Sequence, residues 1–134
     1  MQRRTLVAAA AAFGLTSTAL SAFAAEKGTQ YVVLDKPLPN AEGTLIKVFS
    51  YDCPFCYKYD VGVDPRVLPR IEKEVGLKFK PMHLETKGTY GRCASEFLAM
   101  CMLRDEKAGV SIEDKNSLFK KAKDAIYNAY HRKQ

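Results

Sequence analysis

Three observations predict an α/β fold. Short apolar runs at residues 31–34, 45–50 and 77–84 have the length and β-rich content of strands. Stretches with apolar residues at three- and four-residue steps separate and follow them, as helices require. Finally, Cys53-Pro54-Phe55-Cys56 stands directly after the second run, where a strand gives way to a helix. Strand, strand, helix, strand and then helices is an α/β order.

The first element is not part of that fold. Residues 1–24 read as a secretory signal: Arg3 and Arg4 form a positive start, residues 6–20 an apolar stretch, and Ala22-Phe23-Ala24 an A-x-A cleavage site. Thr16, Ser17, Thr18 and Ser21 argue against a membrane anchor. Cleavage leaves about 110 residues, enough for one small domain. It would begin near Ala25 in an oxidising bacterial periplasm, where disulfide chemistry is expected.

Within the mature chain, Tyr31-Val32-Val33-Leu34 is a short strand closed by the turn residues Pro37-Leu38-Pro39-Asn40. Residues 45–50 form a second strand, apolar enough to be buried on both faces. The helix opened by Cys53 runs through Tyr57 and Tyr59 and breaks around Gly62-Val63-Asp64-Pro65. It resumes toward Ile71-Glu72-Lys73-Glu74 and stops at Gly76. A third strand spans residues 77–84. Two helices close the chain. One, over residues 94–104, carries Ala94, Phe97, Leu98 and Cys101 on one face. The other, over residues 116–130, carries Leu118, Phe119, Ala122, Ile126 and Tyr130.

Charge excludes one function class. The formal net charge of +6 loses Arg3 and Arg4 with the signal, and the remaining bases (Lys58, Arg66, Lys73, Lys78, Lys80, Lys120, Lys121, Lys123) interleave with acids. That pattern is not a nucleic-acid interface; it is either a solvated basic surface or one that favours encounter with acidic substrates.

The chemistry rests on two cysteines. A sulfur at a helix N-terminus meets unpaired N–H groups and the positive end of the helix dipole, which favour a thiolate. Pro54 suits the first helical turn, having no N–H to lose. Cys53 is therefore expected to be the nucleophile and leaving group, with Cys56, one turn in, buried as the resolving thiol. A helix end contributes about 0.3–1 kcal/mol, whereas one pKa unit is about 1.4 kcal/mol. Backbone donors and nearby charge must supply any larger depression.

The segment Val48-Phe49-Ser50-Tyr51-Asp52-Cys53-Pro54-Phe55-Cys56-Tyr57, behind a signal peptide, resembles the active-site stretch of the DsbA-type thiol:disulfide oxidoreductases. The Pro-Phe dipeptide and the lysine-rich character point to the DsbL-like branch. The resemblance implies a thioredoxin-like fold with a helical insertion. Residues 25–85 then form the N-terminal part of the thioredoxin-like domain, and residues 86–134 the start of the inserted helical domain. It also implies donation of disulfides to reduced secreted proteins, and reoxidation by a DsbB-like, quinone-linked membrane partner. No cofactor and no metal are expected.

Three departures from the family pattern bear on tuning. Phe55 replaces a histidine common in oxidising members, which removes a charge and a hydrogen bond from the thiolate's surroundings. Lys47 stands where such proteins place a buried acid, and an ammonium there could favour the thiolate; the alternative is a lysine that snorkels to the surface. Pro81 is the last proline, so the cis-proline loop and the strands that complete the sheet are absent, and the chain is expected to stop within the helical insertion. A sheet remnant of this kind exposes an unpaired edge.

The same residues leave alternatives open: a reductase or isomerase, an inactive fragment, or a module holding copper or zinc through its thiolates. Cys93 and Cys101 lie about 12 Å apart along one helix, beyond the roughly 7 Å a disulfide spans, and read as buried free thiols. Their spacing from the CxxC matches no ordinary zinc finger. His83 reads as structural, Tyr57 and Tyr59 as packing residues, and His131 as part of a polar tail.

Overall fold

The computed structural model describes residues 25–132; the signal segment expected at residues 1–24 lies outside them. The chain divides into two units, Met1–Lys36 and Pro37–Gln134.

In the first unit, one isolated bridge joins Lys27 to Tyr31. The strand expected at residues 31–34 is not formed. Val32, Val33 and Leu34 are exposed and belong to no ladder. β-rich composition marks a segment that fits a half-buried pleated surface, and without such a surface it does not make a strand.

The second unit runs β1 (Thr44–Phe49), α1 (Pro54–Gly62), α2 (Asp64–Val75), β2 (Lys78–His83), α3 (Gly91–Lys107) and α4 (Leu118–His131). The two strands are parallel and in register from Thr44 opposite Lys78 to Phe49 opposite His83. Pro81 fits a β2 that is paired on one side.

Each helix boundary has a local cause. Pro54 opens α1, and the N–H of Val63 closes it on the Tyr59 carbonyl at 2.8 Å. Pro65 lies in the first turn of α2, where its missing N–H costs nothing. Gly76 ends α2 in the left-handed conformation, with φ of 77°. Gly91 opens α3 so close to the carbonyl of Glu85 that a Cβ there would lie 2.4 Å from the oxygen. Ser117 caps α4, accepting the N–H of Lys120 at 3.0 Å.

The core gathers Phe49 of β1, Leu98 and Cys101 of α3, and Phe119 and Tyr127 of α4. Strand and C-terminal helices therefore share one core. The expectation that β1 is buried on both faces fails. Side chains alternate along a strand: Phe49 enters the core, while its neighbour Val48 is half exposed, as is Met82 opposite it.

Candidate redox site

The segment Ser50-Tyr51-Asp52-Cys53 turns from β1 into α1. The Cys53 N–H donates to the Ser50 carbonyl at 3.2 Å, and the Ser50 hydroxyl donates to the Asp52 carboxylate. Cys53 is the N-cap of α1, with extended backbone angles, and its Sγ accepts the Cys56 N–H at 3.3 Å. The sulfur thus takes the place of the side-chain oxygen that usually caps a helix. Phe55 is exposed beside it, with the Lys58 ammonium 5.8 Å from its ring centre.

Both cysteines are half-buried and both are free thiols. Cys56 packs against the core cluster but is less enclosed than expected, because α1 buries no residue completely. Their acidities diverge. Partial burial pushes the Cys53 thiol up, but hydrogen bonds from the Cys56 thiol and from the N–H groups of Cys56 and Phe55 outweigh it; Asp52 opposes them, and the net result lies below an ordinary thiol. Burial pushes Cys56 up, as does its bond to Cys53, against the pull of a Ser50 backbone bond and of Lys47.

Lys47, read either as a tuner of the thiolate or as a lysine that snorkels to the surface, meets a partner on α2. Its ammonium is paired with Asp64, both side chains largely enclosed. Its charge lowers the Cys56 pKa. A second enclosed pair, Lys123 with Asp60, lies with it in the lining of a cleft of about 280 Å³ formed by both strands, α1, α2 and α4.

Histidines prove more informative than expected. His83 Nε2 accepts the Tyr51 N–H at 3.0 Å, so the ring proton sits on Nδ1, 2.7 Å from the Ser95 hydroxyl. The ring also stacks on Tyr51 and meets Phe49 edge-on. Burial lowers its pKa, with Asp52 opposing. A satisfied, neutral His83 agrees with the structural role read from the sequence. His131 is not part of a loose tail. Its Nε2 lies 2.8 Å from the Tyr51 carbonyl oxygen, and its ring stacks on Tyr57 with an interplanar angle of 7°. The four-residue step from Tyr127 to His131 was the available signal, since it continues the α4 stripe by one turn.

Tyr51 itself was missed, although nearly every group it has is held. Besides the two histidines, its hydroxyl accepts the Tyr90 N–H at 3.0 Å, and Tyr130 meets its ring edge-on. Gly88, at φ of 77°, approaches so closely that a Cβ there would lie 2.7 Å from the Tyr51 hydroxyl oxygen. Elsewhere, Cys101 is buried as expected. Cys93 is exposed, a correction that follows from its place off the buried stripe of α3, which runs Gly91, Ala94, Leu98, Cys101, Asp105. Among the described residues no three His, Cys, Asp or Glu side chains converge as metal ligands.

No family model matches the chain. It is 52% identical over 129 residues to the thiol:disulfide interchange protein DsbL of Escherichia coli O6:H1, covering 96% of this chain and 55% of that protein. It is 56% identical over 124 residues to DsbL of Lelliottia amnigena, covering 92% and 54%. It is 33% identical over 101 residues to DsbA of Salmonella typhi, covering 72% and 44%. The chain therefore spans about half the length of the curated relatives it matches. The crystal structure of DsbL from Salmonella enterica serovar Typhimurium superposes with a TM-score of 0.72 at 56% identity, over 82% of this chain and 54% of that one.

Proposed function

Over the half of their length that it spans, the chain belongs to the DsbA family of thiol:disulfide interchange proteins, and on that premise we propose that it exchanges disulfides with secreted proteins through Cys53 and Cys56. The single observation that carries the reading is the divergence of the two thiols, with Cys53 capping α1 and made more acidic while Cys56 is made less so. Groups whose surroundings push their acidities apart take different chemical roles.

Cys53 is the attacked sulfur and the leaving group, and Cys56 the resolving thiol. A substrate thiolate attacks Cys53 Sγ of the oxidised pair; the Cys53–Cys56 bond breaks and Cys56 leaves as a thiolate, then takes a proton. A second substrate thiolate attacks the substrate sulfur of the mixed disulfide and expels Cys53. The substrate loses two electrons and the CxxC gains them. An easily expelled Cys53 thiolate drives this direction, so the pair is an oxidant. The cycle requires reoxidation, for which a DsbB-like, quinone-linked membrane partner is the proposed acceptor of electrons. The reaction belongs to the periplasm, reached through the signal at residues 1–24. Residues 25–85 supply the redox part of the thioredoxin-like domain and residues 86–134 the start of the helical one. Pro54 and Phe55 shape the helix end around Cys53; Lys47 acts on Cys56.

Oxidation of a reduced two-cysteine peptide by the oxidised chain, followed by peptide mass, tests the proposal. Stoichiometric peptide oxidation is expected, abolished by Cys53→Ser; Cys56→Ser, which has no disulfide to donate, is expected instead to trap a mixed disulfide when its Cys53 thiolate attacks the oxidised peptide and expels one peptide thiolate. Faster reduction of insulin by the reduced chain than oxidation of the peptide would reverse the assigned direction.

A further inference from the structure

The last turn of α4 reaches both sides of the redox pair. Before Cys53, the Tyr51 carbonyl accepts the His131 Nε2 proton at 2.8 Å, and the Tyr130 ring meets that of Tyr51 edge-on. After Cys56, His131 stacks on Tyr57 with ring centres 4.9 Å apart, and Arg132 donates to the Tyr57 hydroxyl at 2.7 Å. Tyr57 is itself tied to the nucleophile, since its N–H donates to the Cys53 carbonyl at 3.1 Å. His131 Nε2 is the donor that holds the Tyr51 carbonyl. Free to rotate, the peptide that carries it would swing the Asp52-Cys53 segment and lengthen the contact between Cys53 Sγ and the Cys56 N–H.

We propose that His131 is a positioning residue for the redox pair: its Nε2 proton holds the Tyr51 carbonyl before Cys53, with the ring seated on Tyr57, and that hydrogen bond keeps Cys53 Sγ over the helix N–H groups. The inference rests on the reading of Cys53 as the attacked sulfur. His131 touches neither sulfur nor substrate and acts through Tyr51.

Two variants separate the donor from the ring. His131→Phe keeps a flat ring against Tyr57 and removes the donor; His131→Gln keeps a donor and removes the ring. The measurement is the pH profile of Cys53 alkylation in the reduced full chain, resolved from the other cysteines by peptide mass, with far-UV circular dichroism confirming folding. His131→Phe is expected to move the midpoint upward and cut the Cys53 thiolate at acidic pH about three- to tenfold, while His131→Gln stays close to the unsubstituted chain. A folded His131→Phe with an unchanged profile overturns the proposal. So does His131→Gln with a raised midpoint, a result available even if His131→Phe does not fold. If Cys53 in the unsubstituted chain titrates as an ordinary thiol, the reading of Cys53 falls first and this inference with it. An acidic Cys53 unmoved by either variant removes this inference alone.

Discussion

The Ser117 hydroxyl donates to Asp105 Oδ2 at 2.7 Å, and through that contact the end of α3 caps the start of α4. Asp105 also accepts the N–H groups of Leu118 at 2.8 Å and Phe119 at 2.9 Å, so one buried carboxylate satisfies donors that a helix N-terminus leaves open. Burial pushes its pKa up, but these three bonds and the Lys121 charge hold it below the usual carboxylate range. Asp105→Ala is expected to cost about 2–4 kcal/mol in urea unfolding, and Asp105→Asn less, because one acceptor oxygen remains. The sign with pH follows from the lowered pKa. The contribution is whole above the ordinary value and disappears as pH falls through the folded one. An Asp105→Ala chain as stable as the original at neutral pH would refute the capping role.

His83 gives a second pH dependence, at higher pH. Its folded pKa lies below the ordinary 6.5 because burial disfavours the imidazolium, and its Nε2 must stay unprotonated to accept the Tyr51 N–H. Between the folded value and 6.5 the unfolded chain binds more protons, so stability rises with pH there. The His83 contribution is therefore complete above 6.5 and is lost as pH falls toward the folded value. Unfolding of the chain and of His83→Gln, measured at several pH values from 5 to 8, is expected to show a shallower slope for the variant. Parallel slopes would mean that another group titrates in that window.

The redox turn was legible in the sequence because its chemistry is local. Cys53, Pro54 and Cys56 lie within four consecutive positions, and a strand followed by a helix places them without help from the rest of the chain. The helix break before Pro65 and the stop at Gly76 are equally local, set by a missing N–H and a missing Cβ. What could not be read depends on distant partners. Tyr51 is held by groups 32, 39 and 80 positions away, and no spacing rule spans such separations. The partner of Lys47 was out of reach for the same reason. The lysine's place before Cys53 said nothing of Asp64, which lies beyond the end of α1 and takes up its charge. The apolar content of residues 31–34 was read correctly as β-rich, but a strand is a property of a pair.

Asp52 works against the nucleophile beside it. Its carboxylate raises the Cys53 pKa while sitting on the adjacent residue, held by the Ser50 hydroxyl. Asp52→Asn preserves a side-chain oxygen for Ser50 and removes the charge. The Cys53 thiolate is expected to gain about two- to fivefold at a given acidic pH, and equilibration with a glutathione buffer should show a more oxidising disulfide. The same change should lower the His83 pKa, since Asp52 is the charge that favours its protonated form. A fall in the Cys53 thiolate would assign Asp52 the opposite electrostatic role.

Lys47 provides the sharpest contrast between position in sequence and position in space. From its place before Cys53 it was either a tuner of that thiolate or a lysine that snorkels to the surface; in the fold its ammonium meets Asp64, and its field lowers the pKa of Cys56. Lys47→Met preserves the length and the apolar stem while leaving Asp64 without its cation in the lining of the cleft. Two consequences should separate. The chain should lose about 1–2 kcal/mol in urea unfolding, less than for a fully buried pair because both side chains retain some solvent contact. In alkylation profiles of the reduced protein, the Cys56 thiol should titrate higher while Cys53 stays near its original midpoint. A higher Cys56 pKa makes it a poorer leaving group when a substrate thiolate attacks Cys53, so the first exchange step should slow. If Cys53 moves and Cys56 does not, Lys47 acts on the nucleophile after all, and its pairing with Asp64 does not decide which sulfur it serves.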